Sequence, residues 1–150
     1  MDLDADTLHT VAASVALLLG VAGPVLAVVY AVRIERRDFW RIPMLVSGIL
    51  TFVAILVAYV SGRRLVDTDP SLLDNPMVAP HLEYADRLLL PGAGFFILVV
   101  LTGVLNPRTG VLRMVLPILL VGFAAVVLVL VVLSSDSGAR QLLDQIVEAF

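Results

Sequence analysis

Four stretches of this chain, residues 11–32, 43–60, 88–105 and 111–133, are long and apolar. The first three hold no charged residue and the fourth holds only Arg113, near its start. Crossing about 30 Å of hydrocarbon takes roughly 18 or more apolar residues in a helix, because a backbone in lipid must satisfy its own hydrogen bonds. All four stretches meet that length. The expected fold is therefore all-α, a single polytopic four-helix membrane domain over residues 1–150. Its spans are expected at 10–33, 42–61, 82–105 and 111–133.

Composition agrees. The chain is 60% hydrophobic and 15% charged, with a mean hydropathy of +1.03, whereas soluble domains are about half apolar and a quarter charged. The absence of cysteine excludes a disulfide, a thiolate metal site and a thiol nucleophile. There is no phosphate loop, no HExxH, no serine elbow and no CxxC, so hydrolytic and nucleotide chemistry have no foothold. No span carries a charge at its centre, where a transported ion or polar solute finds its partner.

The first span is expected to be retained rather than cleaved as a signal peptide. It follows the acidic stretch Asp2, Asp4, Asp6, and it runs into Arg33, Arg36, Arg37 and Arg41. Those four, with Arg108 and Arg113, place six arginines on one side of the bilayer. Arg63, Arg64, Arg87 and Arg140 place four on the other. Only Glu35 and Asp38 join the first group, so that side carries +4 and the opposite side −7. The positive-inside rule makes the Arg-rich end cytoplasmic and puts both termini outside. Trp40 beside Arg41 is placed as an interfacial anchor.

Turn chemistry marks the connections. Pro43 suits the first turn of helix two, and the stretch from Asn106 to Gly110 reads as a tight turn. The segment from Ser61 to about Ala79, rich in Asp and Pro, is expected to be irregular. Beyond span four, Ser134 to Gly138 break the apolar run. Leu142, Leu143, Ile146, Val147 and Phe150 then recur on one face of an amphipathic helix over 138–149, lying on the outer surface or covering the outer end of the bundle.

Helices in lipid pack through small residues. Such stripes are Ala13, Ala16, Gly20 and Gly23 on helix one, and Ser47, Thr51, Ala54, Ala58 and Ser61 on helix two. Helix three offers Ala85, Gly92 and Thr102, and helix four Gly122 and Ala125. Packing alone accounts for them. A stripe left exposed would instead serve a second copy of the chain.

Two histidines occur, His9 and His81, each at the outer end of a span. His9 stands over Ala13, Ala16 and Gly20; His81 stands over Ala85, Leu88 and Gly92 at the same spacing. Helices one and three run parallel in an antiparallel bundle, so the imidazoles are expected at similar depth. Around them stand Glu83, Tyr84, Asp86 and Arg87, with Arg63, Arg64 and Asp67 from the end of helix two. One reading is a polar collar ending the spans, with Asp86 paired to Arg63 or Arg64 and Arg87 to Asp67. Another is a ligand site, either a b-type haem on His9 and His81 or a copper or zinc ion with Glu83, Asp86 or Met77 as further ligand. A quinone or other lipid-like ligand is a third.

These features resemble a widespread family of prokaryotic four-helix integral membrane proteins of unknown function, with a histidine at the start of helices one and three. The residues that carry the resemblance are His9, Ser61-Gly62-Arg63-Arg64-Leu65-Val66-Asp67, Pro80-His81-Leu82-Glu83-Tyr84-Ala85-Asp86, and the polar segment Ser134 to Gly138. The family's His-Pro pair is absent, since Thr10 follows His9, and so is its aromatic-Gly ending of helix four. The resemblance implies a compact bundle with a His-lined redox or metal site near the outer face, in a prokaryotic cell membrane.

The sequence thus leads to a non-enzymatic structural or accessory membrane component without a cofactor. A small redox or metal-binding membrane protein using His9 and His81 is the alternative. The expected partners are the lipid bilayer and a membrane protein or a second copy, and no nucleic acid.

Overall fold

The computed structural model describes residues 5–148 except 77 and 107–108, with side chains given over 6–135. Met77 and Arg108, and the apolar face of Leu142, Leu143, Ile146, Val147 and Phe150, lie outside what it describes. The described chain forms α1 (Ala5–Val32), α2 (Arg37–Thr68), α3 (Val78–Leu105) and α4 (Leu112–Glu148), with 3₁₀ turns at Ile34–Arg36 and Pro70–Asp74. Each of the four helices is long and apolar enough to cross a membrane. The chain folds as an all-α, multi-pass four-helix bundle.

Each helix packs on its neighbours in sequence, and α4 closes the ring against α1. The C-terminal ends of α1 and α3 therefore share one end with the N-terminal ends of α2 and α4, here the arginine end. The other is the histidine end. The core is a column of Ala27, Tyr30, Met44, Ile55, Phe95, Val99, Leu120, Val127 and their neighbours. Large apolar residues such as Leu18, Val53, Leu90 and Ile118 point outward, as a bilayer requires.

The small-residue stripe of α2 faces inward as expected, with Ser47, Thr51, Ala54 and Ser61 buried. Thr51 lies where α1 comes closest. Its Oγ1 donates toward Leu19 O (2.7 Å) and Ser47 O (2.8 Å), and a Cβ on Gly23 would fall 2.2 Å from it. Because Ser47 and Ala54 are spent inside the chain, the stripe is not a face for a second copy. The stripe expected on α4 is corrected. Gly122 and Ala125 face outward, and nothing lies within 4 Å of a Cβ on Gly122. Leu116, Leu120, Ala124, Val127 and Val131 make the inward face instead.

Three boundaries also differ from expectation. α2 starts at Arg37, so Pro43 lies inside the helix rather than in its first turn. The arginines there work as caps. Arg37 Nη2 donates to Ala31 O at 3.2 Å and Arg41 Nε to Gly103 O at 2.5 Å, placing positive charge on the carbonyl ends of α1 and α3, where the helix dipole favours it. The segment after Ser61 is mostly ordered. α2 runs on to Thr68, and the Asp69 carboxylate accepts from Ser71 N (3.1 Å) and Ser71 Oγ (2.5 Å) to cap the second 3₁₀ turn. Finally, α4 does not break at Ser134 to Gly138 but continues to Glu148. Serine in a helix can satisfy its hydroxyl on the preceding turn, as Ser135 Oγ does on Val132 O at 2.8 Å.

At the arginine end the turn into α4 is set by Asn106 (φ 36°) and Gly110 (φ 75°). Asn106 is also a polar hub. It accepts from the Tyr30 hydroxyl at 3.2 Å and donates to Asp38 Oδ1 at 2.9 Å, tying α1, α2 and the α3–α4 turn together.

Candidate functional site

At the histidine end all four helices converge on two imidazoles. His9, in the second turn of α1, and His81, in the first turn of α3, have ring centres 6.3 Å apart with their planes at 82°. Helices one and three are diagonal partners in the ring, so the two side chains meet across the bundle axis. The equal depth expected from the spacing is what permits this.

Each ring is held through Nδ1. His81 Nδ1 lies 3.1 Å from the Ser134 carbonyl of α4. A carbonyl only accepts, so Nδ1 carries the proton and the ring lone pair sits on Nε2. His9 Nδ1 lies 3.1 Å from Ser61 Oγ of α2, and that hydroxyl donates its own hydrogen to Ala58 O at 3.0 Å. With the Ser61 hydrogen on Ala58 O, Ser61 accepts from His9 Nδ1. A fixed Nδ1–H donated to an oxygen is the arrangement that orients a metal-ligating imidazole and sets its tautomer. Gly62 leaves room for the His9 ring: a Cβ there would lie 2.8 Å from His9 Cε1.

The imidazoles line a cavity of about 790 Å³ that reaches from Asp6 and Asp69 at the mouth to Ile55, Leu88 and Val131 inside the bundle. Its lower walls are Ala13, Ala16, Ala58 and Ala85. These small residues leave the volume open beneath the rings, and the size suits an organic ligand or cofactor.

The charged residues expected around the histidines do not join them. Asp86 is held by Arg63 in a two-oxygen contact of 2.6 Å to each, with both side chains about half exposed at 44% and 45%. Arg63 also lies over the Tyr59 ring at 5.6 Å. Glu83 pairs with Arg87 one turn on, so the expected Arg87–Asp67 pair gives way to a neighbour on the same helix. Such exposed pairs contribute about 0–1 kcal/mol each. Glu83, Asp86, Arg64, Asp67, Tyr84 and Arg87 are absent from the cavity wall, and Arg63 alone of the expected collar lines it. Among the described residues no group of three or more His, Asp or Glu could hold a metal ion. Glu83 and Asp86 are each paired with an arginine and lie off the cavity wall, so among the described residues they do not gather with the histidines into a ligand set.

A bis-imidazole site asks for less. With a metal about 2 Å from each nitrogen, two opposed imidazoles have ring centres roughly 6 Å apart. The observed 6.3 Å matches that spacing, so two imidazoles held by their Nδ1 atoms stand at the separation that a haem or a single two-coordinate ion would ask for. Sequence reasoning did not find the tethers. Ser61 carried a signal only as a small residue and Gly62 only as part of a helix ending. The Ser134 carbonyl is backbone and leaves no mark in a sequence. No protein-family model, curated protein or solved structure matches the chain.

Proposed function

We propose that this protein is a non-enzymatic accessory component of a prokaryotic cell membrane, whose bundle holds a redox metal centre between His9 and His81. A b-type haem is the first choice and a single copper ion the second. The observation that carries this reading is the imidazole pair, its ring centres 6.3 Å apart and each Nδ1 held on an oxygen of a neighbouring helix. His9 and His81 would hold the haem or copper, which would supply one-electron transfer tuned by the hydrogen bonds of those two imidazoles. The chain's own part is to orient two nitrogens, surround the group with apolar wall and restrict water.

The test is an optical spectrum of the detergent-purified protein, oxidised and then dithionite-reduced, with elemental analysis for iron, copper and zinc. A Soret band that shifts on reduction and is lost in both His9→Ala and His81→Ala is expected for haem. Stoichiometric copper lost in the same variants would point to the ion. A featureless, metal-free protein would end the proposal and leave the histidines as part of the helix-ending collar.

In the same reading both termini and the histidine end lie outside the cell, with the arginine end in the cytoplasm. Since the chain has no cysteine, single reporters are clean. Asp74→Cys is expected to react with a membrane-impermeant maleimide on intact cells, and Glu35→Cys only after permeabilisation. The opposite pattern would invert the topology.

A further inference from the structure

At the arginine end a second cavity, about 860 Å³, opens between α1 and α4. Its walls are apolar and largely exposed, with Val32 and Ile34 on one side and Met114 and Ile118 on the other. At its head stand Arg37 and Arg113, with Thr109 and Gly110 of the turn that leads into α4.

The two arginines lack counter-charge. Among the described residues neither takes part in an ion pair, both such pairs lying at the histidine end. Arg37 is fixed in place: Nη1 donates to Arg113 O at 3.3 Å, Nη2 to Ala31 O at 3.2 Å, and its carbon lies 5.6 Å from the centre of the Tyr30 ring. Its Nε is buried without a hydrogen-bond partner. Leaving a buried charged donor unsatisfied is costly, and among the described residues no carboxylate within ion-pair distance offsets it, Asp38 beside it being bonded to Asn106. The N-terminus of α4 adds its positive dipole end at the same place.

We propose that this groove binds an anionic phospholipid, with the phosphate between Arg37 and Arg113 and an acyl chain along Met114, Ile118 and Val32. The occupant follows from the pairing of features. The cationic head lies level with the helix ends, where headgroups sit, and the walls below it are apolar along the spans. A soluble anion would engage only the first, whereas a phospholipid engages the arginines through its phosphate and the walls through its acyl chain. Basic pockets between helices at the membrane surface recognise acidic headgroups in this way.

The test reconstitutes the intact protein into nanodiscs of equimolar dioleoylphosphatidylcholine and dioleoylphosphatidylglycerol, and reads retained lipid by native mass spectrometry. A single retained phosphatidylglycerol is expected, resistant to added inorganic phosphate. Arg113→Gln should lower its retention about fivefold, the weight of one juxtamembrane arginine, while Arg113→Lys keeps most of it. The Tm of each variant in pure phosphatidylcholine nanodiscs reports its fold independently. Equal retention of both lipids, or no effect of Arg113→Gln, overturns the proposal. Displacement by inorganic phosphate would assign the arginines to a free anion. A doubled mass without lipid would assign the groove to a second copy.

Discussion

Gly48→Ala is expected to lower the unfolding free energy by about 2 kcal/mol, the cost of overpacking a tight contact, and Gly48→Leu by more. A Cβ on Gly48 would stand 2.6 Å and 2.7 Å from the two γ-methyls of Val99, and 3.1 Å from its Cβ. Val99 is fully buried and β-branched, with a stiff χ1, and both of its methyls already conflict, so rotation gives no relief. The backbones of α2 and α3 would have to separate. In lipid that loss is serious, because close approach replaces the hydrophobic effect as the force between helices. The control is Gly122→Ala, which meets nothing within 4 Å and gains up to about 1 kcal/mol of helix propensity. Unfolding in mixed micelles of mild detergent and dodecyl sulfate reads both. A neutral Gly48→Ala alongside a damaging Gly122→Ala would mean that α4 is rotated and the inward faces given above are wrong.

Asn106→Val is expected to cost roughly 3 kcal/mol, summed from left-handed strain and two lost hydrogen bonds. The residue sits at φ 36°, just past the end of α3, where asparagine is tolerated and a β-branched side chain is not. It also links Tyr30 and Asp38 through its amide. Asn106→Gly separates the two contributions, since glycine accepts the backbone angle and loses only the side-chain bonds, for about 2 kcal/mol. The same unfolding assay should therefore order the proteins as wild type, then Gly, then Val. Equal losses in the two variants would show that the turn carries no backbone strain.

The parts of this fold legible in the sequence are those written in polarity and size. The spans follow from four uncharged stretches, and the inward face of α2 follows from Ser47, Thr51, Ala54 and Ser61, because small and hydroxyl residues are what a helix interface in lipid selects. His9 and His81 stood out because they are polar at the ends of apolar segments, and their similar depth followed from helices one and three running in the same direction, each with its histidine at the outer end. On α4 the same reasoning failed. That helix is apolar nearly all round, and a bilayer wets Leu and Val as readily as a core does, so the pair Gly122 and Ala125 points to the wrong face while Ala124 between them turns inward. The charged collar was legible in part: Asp86 pairs with Arg63, one of its two expected partners, while Glu83 turns to Arg87 on its own helix, and neither carboxylate lines the cavity.

The sequence by itself thus determined the number and place of the spans, the class of fold and the position of both imidazoles at one end, since these depend on transfer of each segment into hydrocarbon. The tertiary structure alone decided which face of each helix turns inward, that Ser61 and the Ser134 carbonyl hold the ring protons, and that Arg37 and Arg113 head an apolar groove. Those outcomes rest on contacts between helices far apart in sequence and on backbone carbonyls, for which residue identity carries no code.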